Sequence, residues 1–298
     1  MITSQQLDLL RVGLDEVFWD AFNKPNVYEK IVNVKTSKKA YEEYMHLAGL
    51  PNLYEWNSDG GLLPVVQPIQ GQKVLFVHKD YGYMWTLSKR LQRENQYASV
   101  GAELMRSAAQ AAMYTVETLV ASIYANGFSV AGYDGVPLFG AHPLLGGGTY
   151  TNRIGAALSE TSLTDAIINF RRMVNERGQP IVTEPAILMV PPELEFVALR
   201  LMNSTVIPYE STSGGYRTPY ENVFRGMLDV VVNPYLVDPN DWFIQTKPSD
   251  HKILLFWREK PTTTTEVDFR SQGVSTAITM ALSVGYASWR GVFGSSVA

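Results

Sequence analysis

"ASVGAELMRSAAQAAMYTVETLVASIYAN", residues 98–126, is the stretch on which the fold turns. Beyond Gly101 in its first turn it holds neither proline nor glycine, the two residues that disfavour helix interiors most. Leu104, Ala108, Ala112, Val116, Leu119 and Ile123 recur at steps of four, four, four, three and four. That spacing puts an apolar stripe on one helix face, and Gly127 follows as a stop. At 1.5 Å per residue the helix is about 40 Å long. Ala108, Ala109, Ala111 and Ala112 fill its middle, so neighbouring elements can approach closely.

On the N-terminal side the pattern changes. Leu7, Leu10, Leu14, Val17, Phe18 and Ala21 sit at helical spacing over residues 5–22, and Asn23-Lys24-Pro25 ends that helix. Residues 25–95 are rich in Tyr, Val, Gly and Pro, with strand-like pieces such as "KVLFVH" (73–78) and turn signals such as "NSDGG" (57–61). Large apolar residues are sparse there, and a segment of about 60 residues buries little core by itself. It reads as a β-rich excursion that leans on something else. Tyr41, Tyr44, Tyr54, Trp56, Tyr81, Tyr83 and Trp85 fall within it. Tyr and Trp supply large contact area with a polar handle, which favours an interface over a small local cluster.

On the C-terminal side the chain alternates. Ser162 with Asp165 has the form of a capping box. Leu163, Ala166, Ile167, Phe170, Met173 and Val174 would give that helix its apolar face, closed by Gly178. "AILMV" (186–190) reads as a buried strand, and Pro191-Pro192 as the start of another helix. "LDVVVN" (228–233), "WFIQT" (242–246) and "KILLFW" (252–257) read as strands, and the tail from Thr262 alternates β-branched and polar residues. The expected class is α+β.

Chemistry is hard to find. "FGAHPLLGGGTYTN" (139–152) joins a histidine to a glycine run, but Thr149 and Tyr150 stand where a phosphate loop needs Lys and Ser/Thr, and no strand is expected before it. His142, followed by Pro143, lies in extended or turn backbone and has no partner at metal-ligand spacing. His46, His78 and His251 are scattered. "GFSVA" (127–131) lacks the last glycine of a nucleophile elbow and follows a helix instead of a strand. "SDHK" (249–252) reads as a polar turn between strands. No catalytic, cofactor-binding or metal-binding residue is expected.

Composition narrows the classes further. The hydrophobic share of 46% against 18% charged is that of a globular chain. With no cysteine, disulfides and thiol chemistry drop out. The N-terminal stretch lacks the basic start and apolar core of a secretory signal, and no apolar run approaches the ~18–20 residues that cross a bilayer, so a soluble protein is expected. A net charge of −4 does not favour sequence-independent nucleic-acid binding.

Several segments, taken in order, resemble one family: "AGLPNLYEW" (48–56), "KDYGYMWTLSKRLQREN" (79–95), the alanine-rich helix, "DGVPLFGAHPLLGGGTYTNRIGAALS" (134–159), "LTDAIINFRRMVNERGQPI" (163–181), "LMVPPELEFVALRLMNS" (188–204) and "VVVNPYLVDPNDWFI" (230–244). Together they resemble tailed-phage major capsid proteins of the Mu-type head-subunit group, which have the Hong Kong 97-type fold. The resemblance runs from about residue 25 onward.

It implies an N-terminal arm (1–32), an extended loop over a neighbouring subunit (33–92), a peripheral domain with the spine helix (93–159), an axial domain (160–257) and C-terminal strands returning to the peripheral domain (258–298). Tyr44, Tyr54, Trp56, Lys73, Tyr81, Tyr83 and Trp85 become inter-subunit contact candidates. Leu104, Ala108, Ala112, Val116 and Leu119 become the structural face of the spine, and His142, Pro143, Gly146 and Gly147 a structural loop. The implied function is a structural shell protein, not an enzyme, forming hexamers and pentamers around double-stranded DNA without reading its sequence. Implied partners are other copies, a separate scaffold protein and a portal protein, with room for a decoration or cement protein; cofactors and membrane are not implied. The place implied is the virion, after assembly in the host cytoplasm. Lys35, Lys38, Lys39 and Lys73 mark no covalent cross-linking pair. Two alternatives stay open: a cellular nanocompartment shell of the same fold, and an enzyme with an unrecognised site.

Overall fold

The computed structural model describes residues 13, 15–56, 60–90, 97–207, 220–268, 270 and 272–297. Leu7, Leu10 and Leu14 of the first expected helix lie outside them; its later part is helical over residues 15–22 and buries Phe18, Ala21 and Phe22. Helices and strands are mixed along the chain, so the α+β class expected from the sequence is the one observed. The chain divides into two compact units, each built from three separate segments.

The first unit comprises residues 1–42, 76–120 and 254–285. Its four-stranded sheet has the order Asn33–Thr36, Ile253–Val267, Val274–Tyr286, Lys79–Leu87. Asn33–Thr36 runs parallel to Leu254–Trp257, and Lys79–Leu87 runs antiparallel to Val274–Leu282. The 15-residue strand Ile253–Val267 unites "KILLFW" with the alternating tail that the sequence suggested as separate pieces. Pro261 is tolerated inside it because the parallel neighbour ends opposite Trp257, four residues earlier, so no ladder hydrogen bond is lost on that side.

The spine helix spans Tyr97–Ala125. In this unit its buried face is Met105, Ala108, Ala109, Ala112, Val116 and Val120, while Leu104 and Leu119 are half-buried. Met105 packs with Val274, Trp85 and Leu87 of the sheet. The same helix carries a buried carboxylate that the apolar pattern did not single out. Glu117 accepts hydrogen bonds on Oε1 from the Val27 N–H at 2.6 Å and the Tyr28 N–H at 3.1 Å. These are orphan donors at the start of the short helix Tyr28–Ile31, whose N-cap residue Val27 has no side-chain oxygen. Burial raises the Glu117 carboxyl above its ordinary range, against the two backbone donors that lower it.

The second unit comprises residues 43–75, 121–253 and 286–298. Its five-stranded sheet has the order Asp229–Val232, Ile187–Val190, Trp242–Gln245, Val292–Ser295, Arg153–Ile154. The three middle strands are buried along their whole length, which explains why "AILMV" and the first three residues of "WFIQT" read as unbroken apolar runs instead of alternating ones. Leu163, Ala166, Ile167 and Phe170 give the helix Glu160–Arg171 its buried face.

The start of that helix differs from expectation. Ser159 is the N-cap, and Ser162 sits at its third position, where both halves of the capping box are made by serine hydroxyls. Glu160 in the first turn, not Asp165, supplies the nearby acid. The helix also ends at Arg171, and Gly178 (φ +79°) closes a separate turn whose N–H donates to the Asn175 carbonyl. After Pro191 the chain takes one 3-10 turn, Pro192–Leu194, before the helix Glu195–Asn203.

Residues 121–159 and the last strand belong to the second unit, in which Val292–Ser295 pairs antiparallel with Trp242–Gln245.

Candidate inter-subunit surfaces

The strands Tyr41–Ala48 and Ile69–Val77 pair as a two-stranded ribbon. Within the second unit its root is fastened by several contacts. The His46 ring stacks on Tyr133 with centroids 4.3 Å apart. Lys73 Nζ lies 2.7 Å from Glu43 Oε1. The Arg177 Nε–H donates to the Gly49 carbonyl, and the Gln179 side-chain amide donates to Asn52 Oδ1 at 2.6 Å. Gly71 is required by space: a Cβ there would come within 3.0 Å of the His46 backbone and Cβ on the facing strand.

Past the root, apolar side chains face solvent. Leu53 is 100% exposed, Leu62 95% and Val65 92%, with Leu50, Leu63, Tyr54 and Trp56 also exposed. The Trp56 indole N–H donates to the Gly61 carbonyl at 2.8 Å and gathers the loop. Such bare apolar residues are costly in water, and exposed apolar patches are characteristic of surfaces that meet another molecule.

The candidate contact residues therefore separate. Tyr54 and Trp56 stand at the exposed tip, Tyr44 is half-buried in the ribbon, and Lys73 is engaged with Glu43. Tyr81, Tyr83 and Trp85 lie on Lys79–Leu87 in the first unit's sheet, where Trp85 packs against the Met105–Val274 cluster and Tyr83 is exposed. The leucines and valine of the tip were missed. Each looks ordinary alone, and nothing in the local pattern announces that they stay exposed.

The glycine-rich loop is a small hairpin, Ala141–Pro143 against Thr149–Thr151, turned by Gly147 (φ +87°) and Gly148 (φ +82°). A short strand thus does precede the glycines, contrary to expectation, but it pairs back on the loop itself. His142 is buried. Its Nδ1 lies 2.6 Å from Asp134 Oδ2 and its Nε2 3.2 Å from the Leu138 carbonyl. The ring stacks on Trp289 at 4.4 Å, and Tyr150 stacks on the same indole at 5.3 Å. Burial pushes Asp134 up, but the His142 hydrogen bond and charge and the Val136 N–H outweigh it and hold the carboxyl below its ordinary value. Asn152, fully buried, accepts from the Gly140 N–H and donates to the Leu138 and Val292 carbonyls. No ring nitrogen of His142 points into open space, so the arrangement suits tethering rather than proton transfer. Among the described residues no group of three or more His, Asp or Glu is placed to hold a metal, and no helix is long and apolar enough to cross a membrane.

A family model described as phage capsid protein matches residues 71–295. The chain belongs to the phage capsid protein family. It is accordingly a structural capsid protein of the virion and not an enzyme. No curated protein matches its sequence. Solved structures show the same fold at low identity. The procapsid of bacteriophage JBD30 is similar over 100% of this chain and 77% of that one, with 16% identity and a TM-score of 0.54. Microbacterium phage Oxtober96 is similar over 92% and 93%, with 11% identity and a TM-score of 0.57. A virus-like particle from Pyrococcus furiosus is similar over 95% and 97%, with 10% identity and a TM-score of 0.53. The capsid protein thus has the Hong Kong 97-type fold that its sequence resembles.

Proposed function

We propose that this capsid protein assembles with copies of itself, as hexamers and pentamers, into an icosahedral head that encloses double-stranded DNA. The observation that carries this is the extended ribbon tipped with bare Leu53, Leu62 and Val65, joined to membership of the phage capsid family. A loop of this kind is stable only if another surface covers it. Tyr54 and Trp56 are its aromatic contacts, and Tyr44, Tyr81, Tyr83 and Trp85 contribute along the ribbon and sheet. Leu104, Ala108, Ala112, Val116 and Leu119 serve as the structural face of the spine; His142, Pro143, Gly146 and Gly147 form a structural loop.

Residues 1–32 act as an arm, 33–92 as the extended loop, 93–159 as the peripheral part, 160–257 as the axial part and 258–298 as returning strands. The resemblance to Mu-type head subunits supports a separate scaffold protein, a portal partner and assembly in the host cytoplasm. A related solved capsid, of bacteriophage JBD30, is decorated with minor capsid protein trimers, and a decoration protein fits this shell in the same way. The likeness to a virus-like particle of Pyrococcus furiosus supports, as a second reading, a shell that holds other cargo.

Particle size tests the proposal. The chain, expressed alone and with its scaffold, should give closed shells or rings of five and six by light scattering and negative-stain microscopy. A stable monomer or dimer under both conditions would overturn it.

A further inference from the structure

Two fastenings hold the root of the ribbon Tyr41–Ala48 and Ile69–Val77 in the second unit, and they differ in kind. The first is the turn over residues 174–180. Asn175 Oδ1 accepts from the Arg177 and Gln179 N–H groups, and the Asn175 amide donates to Gln179 Oε1 at 2.6 Å. Arg290 fixes the turn to the body of the unit: its Nε–H donates to the Val174 carbonyl at 2.9 Å, and its guanidinium pairs with Glu176 at 2.7 Å. From that base Arg177 and Gln179 reach the ribbon at Gly49 and Asn52.

The second fastening is His46. Its ring lies flat on Tyr133, with planes 12° apart, and Tyr286 backs Tyr133 at 6.4 Å. The Ala287 carbonyl accepts from the ring, while Nε2 is buried with no hydrogen-bond partner among the described residues. A proton added to the neutral ring must therefore go to Nε2, where no acceptor meets it, and a buried donor left unpaired is costly. The facing strand leaves no slack, since even a Cβ on Gly71 would meet the His46 backbone at 3.0 Å. Nearby charge gives little relief. Lys252 and Arg290 oppose a positive ring, and Glu176, which favours one, is already paired with Arg290. On the ribbon itself Glu43 is engaged by Lys73. Burial is the largest effect, and it holds the ring's pKa below its ordinary value. The fastened form thus carries the neutral ring. Its advantage is complete above the ordinary 6.5 and shrinks as pH falls below that value.

We propose that His46 is a pH-operated latch on the root of the extended ribbon: neutral, it holds the ribbon against Tyr133, and protonated at Nε2 it lets go, leaving the ribbon tethered through Gly49 and Asn52. Release is a local loosening about the 174–180 turn and not an unfolding of the unit. A histidine is the side chain whose charge changes in this pH range, which suits it to such a switch. The latch is a property of the single chain. Only its use, to set when the ribbon is offered to another copy, rests on the shell function proposed above.

Hydrogen exchange on dispersed full-length subunits tests it, at about pH 7.5 and about pH 5, with the pH dependence of the intrinsic rate divided out. Peptides from the two ribbon strands should exchange roughly tenfold faster at the lower pH, while those from Ile187–Val190 and Trp242–Gln245 stay protected. His46→Phe keeps a flat ring that takes no proton, so its ribbon should be equally protected at both pH values. Tyr133→Leu removes the surface beneath the ring, so its ribbon should be loose at both. Ribbon protection that ignores pH in the unaltered chain would overturn the latch, as would a His46→Phe chain that still loosens at the lower pH. Loss of protection in the core strands at that pH, or a response removed by Lys73→Met instead, would overturn it too. Should His46→Phe fail to fold, the imidazole proton signals of the unaltered chain decide. The His46 signal should titrate below the ordinary value and in step with ribbon exchange; titration at the ordinary value with an unchanged ribbon would sink the idea. Failure to form shells is read separately by particle size, counts against the shell function and leaves the latch standing.

Discussion

Glu117 shows how one residue can bind two distant stretches of chain. Its Oε1 holds the Val27 and Tyr28 N–H groups, and its buried state raises its pKa. Glu117→Ala should therefore cost about 1–3 kcal/mol, because two buried donors lose their acceptor. Glu117→Gln should cost much less, since the amide oxygen still accepts and the buried charge is gone. Denaturant unfolding of the two variants separates them. Asp241 stands at about 6, raised first by burial and then by the charge of Asp238. The fold thus holds the neutral form better. That contribution is complete below about pH 4, the ordinary aspartate range, and is lost as pH rises through about 6. The melting temperature should climb between pH 7 and pH 5, and Asp241→Asn should flatten that climb. None of this was legible in the sequence, where a lone carboxylate gives no sign of its burial. The loop setting of His142 reads as structural, but nothing local announces its partners, since Asp134 and Trp289 lie 8 and 147 residues away in the chain.

Elements were read more easily than residues. The spine helix was foreseen to within a residue at each end, over 98–126 against Tyr97–Ala125, because period and breakers agree there. On its expected face Ala108, Ala112 and Val116 are buried and Leu104 and Leu119 half-buried, and Met105, Ala109 and Val120 are buried beside them. A helix this rich in alanine offers two adjacent apolar stripes, and the facing sheet chooses between them. Close packing at Ala109, 0% exposed, means that Ala109→Leu should destabilise the subunit by about 1–3 kcal/mol, measurable as a fall in urea midpoint at constant slope. The extended loop should behave oppositely. Replacing residues 50–66 by a short glycine-serine linker should leave the melting temperature nearly unchanged and abolish closed shells, if the role proposed for the exposed tip lies in contacts between copies. Gross unfolding of that variant would refute the loop's role.

At the scale of the molecule, composition excluded much and located little. A globular balance, no cysteine and a net charge of −4 removed whole classes of chemistry, but the division into two three-segment units rests on pairings that no local pattern announces. The net negative charge bears on the proposed enclosure of nucleic acid: dispersed subunits should not retard double-stranded DNA in a gel at about 0.15 M salt, where neutral or acidic surfaces gain nothing from counterion release.

Strand Asn33–Thr36 lies parallel to Leu254–Trp257, more than two hundred residues later, and the first unit needs residues up to 285 to close. A ribosome adding about 5–20 residues per second releases the partner strand roughly 10–40 seconds after Asn33–Thr36. Strand Asn33–Thr36 must wait through that interval without the partner it has in the folded sheet. Chains growing side by side on one messenger therefore lack a finished surface to trade, and pairing at such separation is also slow once the chain is free. A subunit therefore cannot present its completed first sheet to another copy before that late strand is made.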